Sequence, residues 1–174
     1  MNPASLYTYV DGVDDLYTRI LVDSFGRLST SIRTAVDDRS PDDDRSPRRR
    51  LIDGAIAFRR WAIDNPNEFN LIYTDQIPGY EAPVGGPTVD AELAVGWPFI
   101  ELIADMLGED DPGRLVEDDG TDRHVGVYGL RALMHGFASL EANSHAPYTN
   151  DRSDLMIMAL ERFLDDMIER CGSA

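Results

Sequence analysis

The sequence predicts an all-α fold of roughly seven helices, and three observations carry that reading. Apolar residues recur at helical spacing from Val13 to Val36. Capping and breaking pairs, Asn2-Pro3, Asp11-Gly12, Ser46-Pro47 and Asn65-Pro66, divide the chain into helix-sized pieces. The last two long segments are apolar on nearly all sides, which requires burial on more than one face.

In chain order, Asn2 is a good N-cap and Pro3 sits at the tolerated first helical position, so Ala4 to Tyr9 form a short helix that Asp11-Gly12 breaks. From Val13, the residues Leu16, Ile20, Phe25, Leu28, Ile32 and Val36 make an inward stripe, with Asp14, Asp15, Arg19, Asp23 and Arg27 between them. That helix spans about 35 Å. Asp37 to Arg50 has no apolar residue but two prolines and reads as a solvated charged loop. Ser46 caps and Pro47 opens the next helix, with Leu51, Ile52, Ala55, Ile56, Phe58 and Ala62 inward and Trp61 able to join them. Asn65-Pro66 ends it and starts a short helix, Asn67 to Tyr73. Gln76 to Pro87 is turn-rich, and Thr88 is the expected cap of a helix from about Val89 to Leu107, with a kink near Val95 imposed by Pro98. Gly108 stops it, and Glu109 to Asp122 is an acidic loop with one turn around Pro112 to Val116. The final helices run from about Asp122 to Asn143 and Asp151 to Cys171. Their surplus of apolar residues calls for a second burial surface, most simply a homodimer with the same patch on both copies.

At 174 residues and 43% hydrophobic, the chain is one domain's worth, able to bury about two thirds of its unfolded surface. Cys171 is the single cysteine, which excludes an intrachain disulfide and fits a reducing cytoplasm. No apolar run reaches the ~18 residues of a membrane span, and the N-terminus lacks the regions of a signal peptide. Net charge is −16, and every positive side chain is arginine. Duplex DNA is held by displacing counterions with a positive face, so this chain taken alone is not expected to bind DNA tightly.

Few residues have the makings of chemistry. His124 and His135 share a helix face but lie about 16 Å apart at ~1.5 Å per residue, too far to hold one metal. His135 beside Gly136 reads as a packed helix residue, and His145 falls just past the helix end. Asp118 to Asp122, spelled DDGTD, matches the short acidic element that holds magnesium and diphosphate in all-helical isoprenoid enzymes, but Gly120 places it in a turn rather than on a rigid helix wall. No phosphate-cradling loop or nucleophile and base pair accompanies it, so no catalytic residue, metal or cofactor is expected. Most aromatics belong to the core, yet tryptophan and tyrosine need partners for their polar atoms, and an apolar cavity with a few polar handles is what a small-molecule site looks like.

Two stretches carry a family resemblance. NPASLYTYVDGVDDLYTRIL, residues 2–21, resembles the end of the DNA-binding head of TetR/AcrR-type regulators: a recognition helix with its Leu-Tyr pair, then the helix joining head to body. FRRWAIDNPNEFNLIYTDQIPGYEAP, residues 58–83, with the later His135-Gly136, resembles the ligand-binding body of the branch marked by a Trp-His-Gly signature. Val13 stands where a phosphate-holding Lys or Arg is usual, and Arg131 where the signature has tryptophan, a charge that acts on the pocket or faces a partner subunit. The family has two further helices before the recognition helix, so the resemblance makes residues 1–12 the remnant of a head and 13–174 an effector-binding and dimerisation body. It implies a cytoplasmic, ligand-responsive repressor in which Ala4, Ser5, Tyr7 and Thr8 face operator DNA once the full head is present. An apolar or aromatic effector is then expected among Phe25, Phe58, Trp61, Trp97, Tyr128, Arg131 and His135. The dimer interface is expected to use Phe137, Leu155, Met158, Phe163 and Met167. The alternative is a headless interaction protein that dimerises and binds no DNA.

Overall fold

A computed structural model describes residues 12–37, 44–75, 77–117, 121–145 and 152–171. Among them are six α-helices and one 3-10 turn: α1 (Val13–Val36), α2 (Pro47–Asp64), α3 (Pro66–Tyr73), α4 (Pro87–Leu107), the turn Pro112–Leu115, α5 (Asp122–Ala142) and α6 (Ser153–Cys171). The expected recognition helix, with Ala4, Ser5, Tyr7 and Thr8, lies outside the described residues, as does Asp118–Gly120 of the acidic element.

Helix α1 is the spine, packing along α4 and α2. Its buried stripe is Leu21, Ser24, Phe25, Leu28, Ser29, Ile32 and Val36. Ile20 is exposed, correcting the expected stripe: Leu21 follows the i, i+4, i+7 phase of Phe25 and Leu28, and its neighbour Ile20 is rotated about 100° away. The arginines of the charged loop finish this helix. Arg45 donates to the Ala35 carbonyl (3.1 Å) and Arg50 to that of Val36 (2.9 Å), filling acceptors that have no intrahelical donor.

Helix α2 begins as its sequence requires, with Ser46 Oγ accepting from the Arg49 N–H at 3.3 Å and Pro47 behind the cap. At its centre Gly54 lets α1 and α4 approach: a Cβ there would stand 2.7 Å from Val36 Cγ2 and 3.1 Å from Phe99 Cε1. Helix α4 starts earlier than expected, with Gly86 as the N-cap and Pro87 in the first turn. Thr88 is buried inside that turn rather than capping it, because the pre-set φ of Pro87 already suits the helix start. Pro98, buried within α4, has no N–H to give the Ala94 carbonyl one turn back. Ser29 of α1 donates to that carbonyl at 2.9 Å, so the gap left by the proline becomes a cross-link between spine and α4.

Two polar ties fix α5. Arg59 of α2, nearly fully buried, forms a two-pronged pair with Glu141 (2.8 and 2.5 Å) and donates to Ser153 of α6 at 2.9 Å. The amides of Asn70 on α3 and Asn143 exchange hydrogen bonds at 2.7 and 3.1 Å. Between α5 and α6, Gly126 and Gly129 admit Met167 and Phe163: an added Cβ would lie 2.7 Å from Met167 Cγ and 2.8 Å from Phe163 Cζ.

Candidate ligand-binding site

A cavity of about 330 Å³ opens between α4 and α5, within the size range of small-molecule sites. Its walls follow from helical period. On α4 the lining residues are Val89, Glu92, Leu93, Val95, Gly96, Phe99, Ile100 and Ile103, and on α5 His124, Val127, Tyr128, Leu130, Arg131, Met134 and His135. Most of each set recurs every three or four positions, with Val95 and Leu130 widening it, so each is one broad face of one helix. Phe58 of α2 and Tyr73 of α3 complete the wall on the side of His135.

The interior is carbon, with polar atoms placed sparingly. His135 is boxed by aromatic rings: Tyr73 edge-on at 4.3 Å between centroids, Phe58 at 4.9 Å and Phe69 at 6.2 Å. Burial, followed by the positive charge of Arg131, pushes its pKa down to about 4, so the imidazole is neutral at physiological pH. Burial also pushes the Tyr73 phenol up, with the Glu92 carboxylate adding to the shift and Arg131 opposing it. Arg131 of α5 is paired with Glu92 of α4, and both belong to the lining. The charge that stands in place of a tryptophan is thus a pocket residue, tied across the gap between the two cavity helices.

Of the expected ligand set, Phe58, Tyr128, Arg131 and His135 come together at this cavity, and Phe25, Trp61 and Trp97 do not. Phe25 is one layer removed, buried on α1 with its ring edge-on to Tyr73 at 5.6 Å. Trp61 is in the core. Trp97 falls between the lining positions Gly96 and Phe99 and turns its indole N–H to Glu101 (2.8 Å) on its own helix. Sequence reasoning expected α4, through Trp97, beside the pocket but named none of its lining residues and missed Tyr73, although the spacing of Leu93, Gly96, Ile100 and Ile103 was a usable signal.

The expected interface residues divide. Leu155 (49% exposed) and Met158 (47%) face outward from α6, whereas Phe137 and Phe163 are half-buried against the core. Met167 is 4% exposed and therefore leaves the interface set: it is held inward against Gly126 of its own chain.

Residues 51–163 match a family model described as the tetracyclin repressor-like C-terminal domain. The chain belongs to the TetR family of transcriptional regulators. It is 35% identical over 121 residues to the HTH-type transcriptional regulators Rv1816 of Mycobacterium tuberculosis and Mb1846 of Mycobacterium bovis, covering 68% of this chain and 48% of each relative. The chain thus spans about half the length of the curated relatives it matches. The crystal structure of SCO4313, a protein named as regulatory, superposes with a TM-score of 0.68 at 23% identity, over 97% of this chain and 80% of that one, which establishes the shared TetR-type all-α fold. No helix among the described residues is long and apolar enough to cross a membrane.

Proposed function

We propose that this chain is the effector-binding and dimerising body of a cytoplasmic, DNA-binding TetR regulator of repressing sign, working with a DNA-binding head to which Ala4, Ser5, Tyr7 and Thr8 contribute. The observation that carries the reading is the cavity itself: α4, which forms one wall, packs along α1 and is bonded to it through Ser29 and the Ala94 carbonyl. A small molecule that alters the position of α4 acts on the helix leading back to the head. Such a ligand switches the regulator only through unequal affinity for its two states, and a near-complete switch requires about 5.5 kcal/mol of difference. Pairing of two copies is supported by the apolar residues left outside: Val125, Tyr128 and Leu140 on α5, and Leu155 and Met158 on α6.

A net charge of −16 favours a second reading, an interaction module that dimerises without touching DNA. Gel-shift measurements on this chain and on a version carrying a complete helix-turn-helix head separate the two. Operator binding gained with the head and released by an effector supports the regulator, and no binding in either form supports the interaction module.

A further inference from the structure

We propose that the cavity takes an uncharged, mainly apolar molecule carrying a single hydrogen-bonding group, and selects against a carboxylate or ammonium of the same shape. This rests on the cavity being the effector site. Its inner wall is formed by buried carbon side chains, Phe58, Val95, Phe99, Ile103, Leu130 and Met134, against which a charged group would lose its water with nothing in return.

The charged groups of the lining are already matched. Arg131 and Glu92 pair between α5 and α4, one positive and one negative. Glu92 engages one guanidinium nitrogen, so a ligand carboxylate reaching the remaining donors meets an arginine whose charge Glu92 already offsets, and an ammonium meets a carboxylate that Arg131 offsets. Both partners are about half exposed, 55% and 41%, so water reaches this end of the cavity and the selection against charge is made at the buried carbon wall. His135 supplies no compensating charge, since its ring is enclosed by Tyr73, Phe58 and Phe69 and is held neutral. A neutral imidazole offers one donor and one acceptor, which suits a hydroxyl, ester or amide. Charge selection is therefore built from a buried carbon wall and a neutral ring, with a balanced ion pair at the exposed end that offers neither sign in excess.

The test uses one body with three charges: 2-naphthalenemethanol, 2-naphthoate and 2-naphthylmethylammonium, with naphthalene as the unsubstituted probe. Calorimetric titration of the whole chain at pH 7 should give the alcohol at least a tenfold advantage over both ions. In Glu92→Gln, which removes the carboxylate opposite Arg131, the affinity of naphthoate relative to the alcohol should rise severalfold. Naphthoate or the ammonium binding wild type as tightly as the alcohol overturns the charge selection. It leaves the site intact if Leu93→Trp, a substitution at a lining residue 55% exposed that spares the core, still weakens every probe. Naphthalene and the alcohol both failing to bind, or binding that ignores Leu93→Trp, overturns the site and the selection together.

Discussion

At the scale of single residues, His135 carries most of what is particular to this chain. Its pKa is about 4 in the folded protein, against an ordinary 6.5. Between those values the unfolded chain binds a proton that the folded one refuses, so stability rises with pH. The contribution is complete above about pH 6.5 and is lost as pH falls toward 4, steepening the dependence by up to ~1.4 kcal/mol per pH unit. Burial among the rings of Tyr73, Phe58 and Phe69 sets most of the effect, and the positive charge of Arg131 on the same helix adds to it. Denaturant titrations at pH 5.0, 5.8 and 6.5 should show this slope in wild type and its disappearance in His135→Gln. An unchanged slope would mean that the imidazole is hydrated. A second residue-scale prediction concerns Arg59. Arg59→Met should cost about 3–5 kcal/mol because it strands the Glu141 carboxylate in the core, while adding Glu141→Leu should recover much of the loss. Urea unfolding of the single and double variants measures both effects.

Among elements, the helices were legible because their ends are written in local chemistry. Ser46-Pro47, Asn65-Pro66 and Gly108 bound helices where they were expected to. Where two start signals competed, Gly86-Pro87 prevailed over Thr88, and the expectation was late by two residues. The cavity was legible only in part, for a physical reason. Helical period tells which residues share a face, as with His124 and His135, but not which helix that face meets; Phe25 and Trp97 are aromatic and well placed on helices, yet sit one layer or part of a turn away from the lining. The close crossings are also beyond pattern reading, because a glycine mid-helix looks like a defect until its neighbours are seen. Gly54 meets α1 and α4 at the point where α2 crosses them, and Val36 and Phe99 are both buried there. Gly54→Ala should gain slightly in helix propensity but force Val36 and Phe99 apart. A net cost of about 1–3 kcal/mol is expected in thermal or urea unfolding. A neutral or stabilised variant would show that this crossing has slack.

For the whole molecule, the tension lies between an apolar surface that favours association and a charge that opposes it. On α5 the exposed residues Val125, Tyr128, Ala132, Gly136 and Leu140 follow one another at helical spacing, and α6 adds Leu155 and Met158. Apolar stripes of this kind mark interaction faces more often than free surface, and copies of one patch can close around a two-fold axis. Each chain also brings a charge of −16, so a pair carries twice that, −32. Repulsion of this size acts over a Debye length of ~10 Å at 0.1 M salt and ~30 Å at 0.01 M. Sedimentation should therefore find a dimer whose dissociation constant falls as salt rises from 10 to 300 mM, opposite to an interface held by ion pairs. Leu155→Glu combined with Met158→Glu should shift the chain to monomer, with helicity and melting of the remaining fold little changed, since both side chains stand outside the core. A double variant that sediments as wild type would place the contact on another face, and a dimer that loosens with salt would show that charged pairs, rather than the α5 and α6 stripes, hold the copies together.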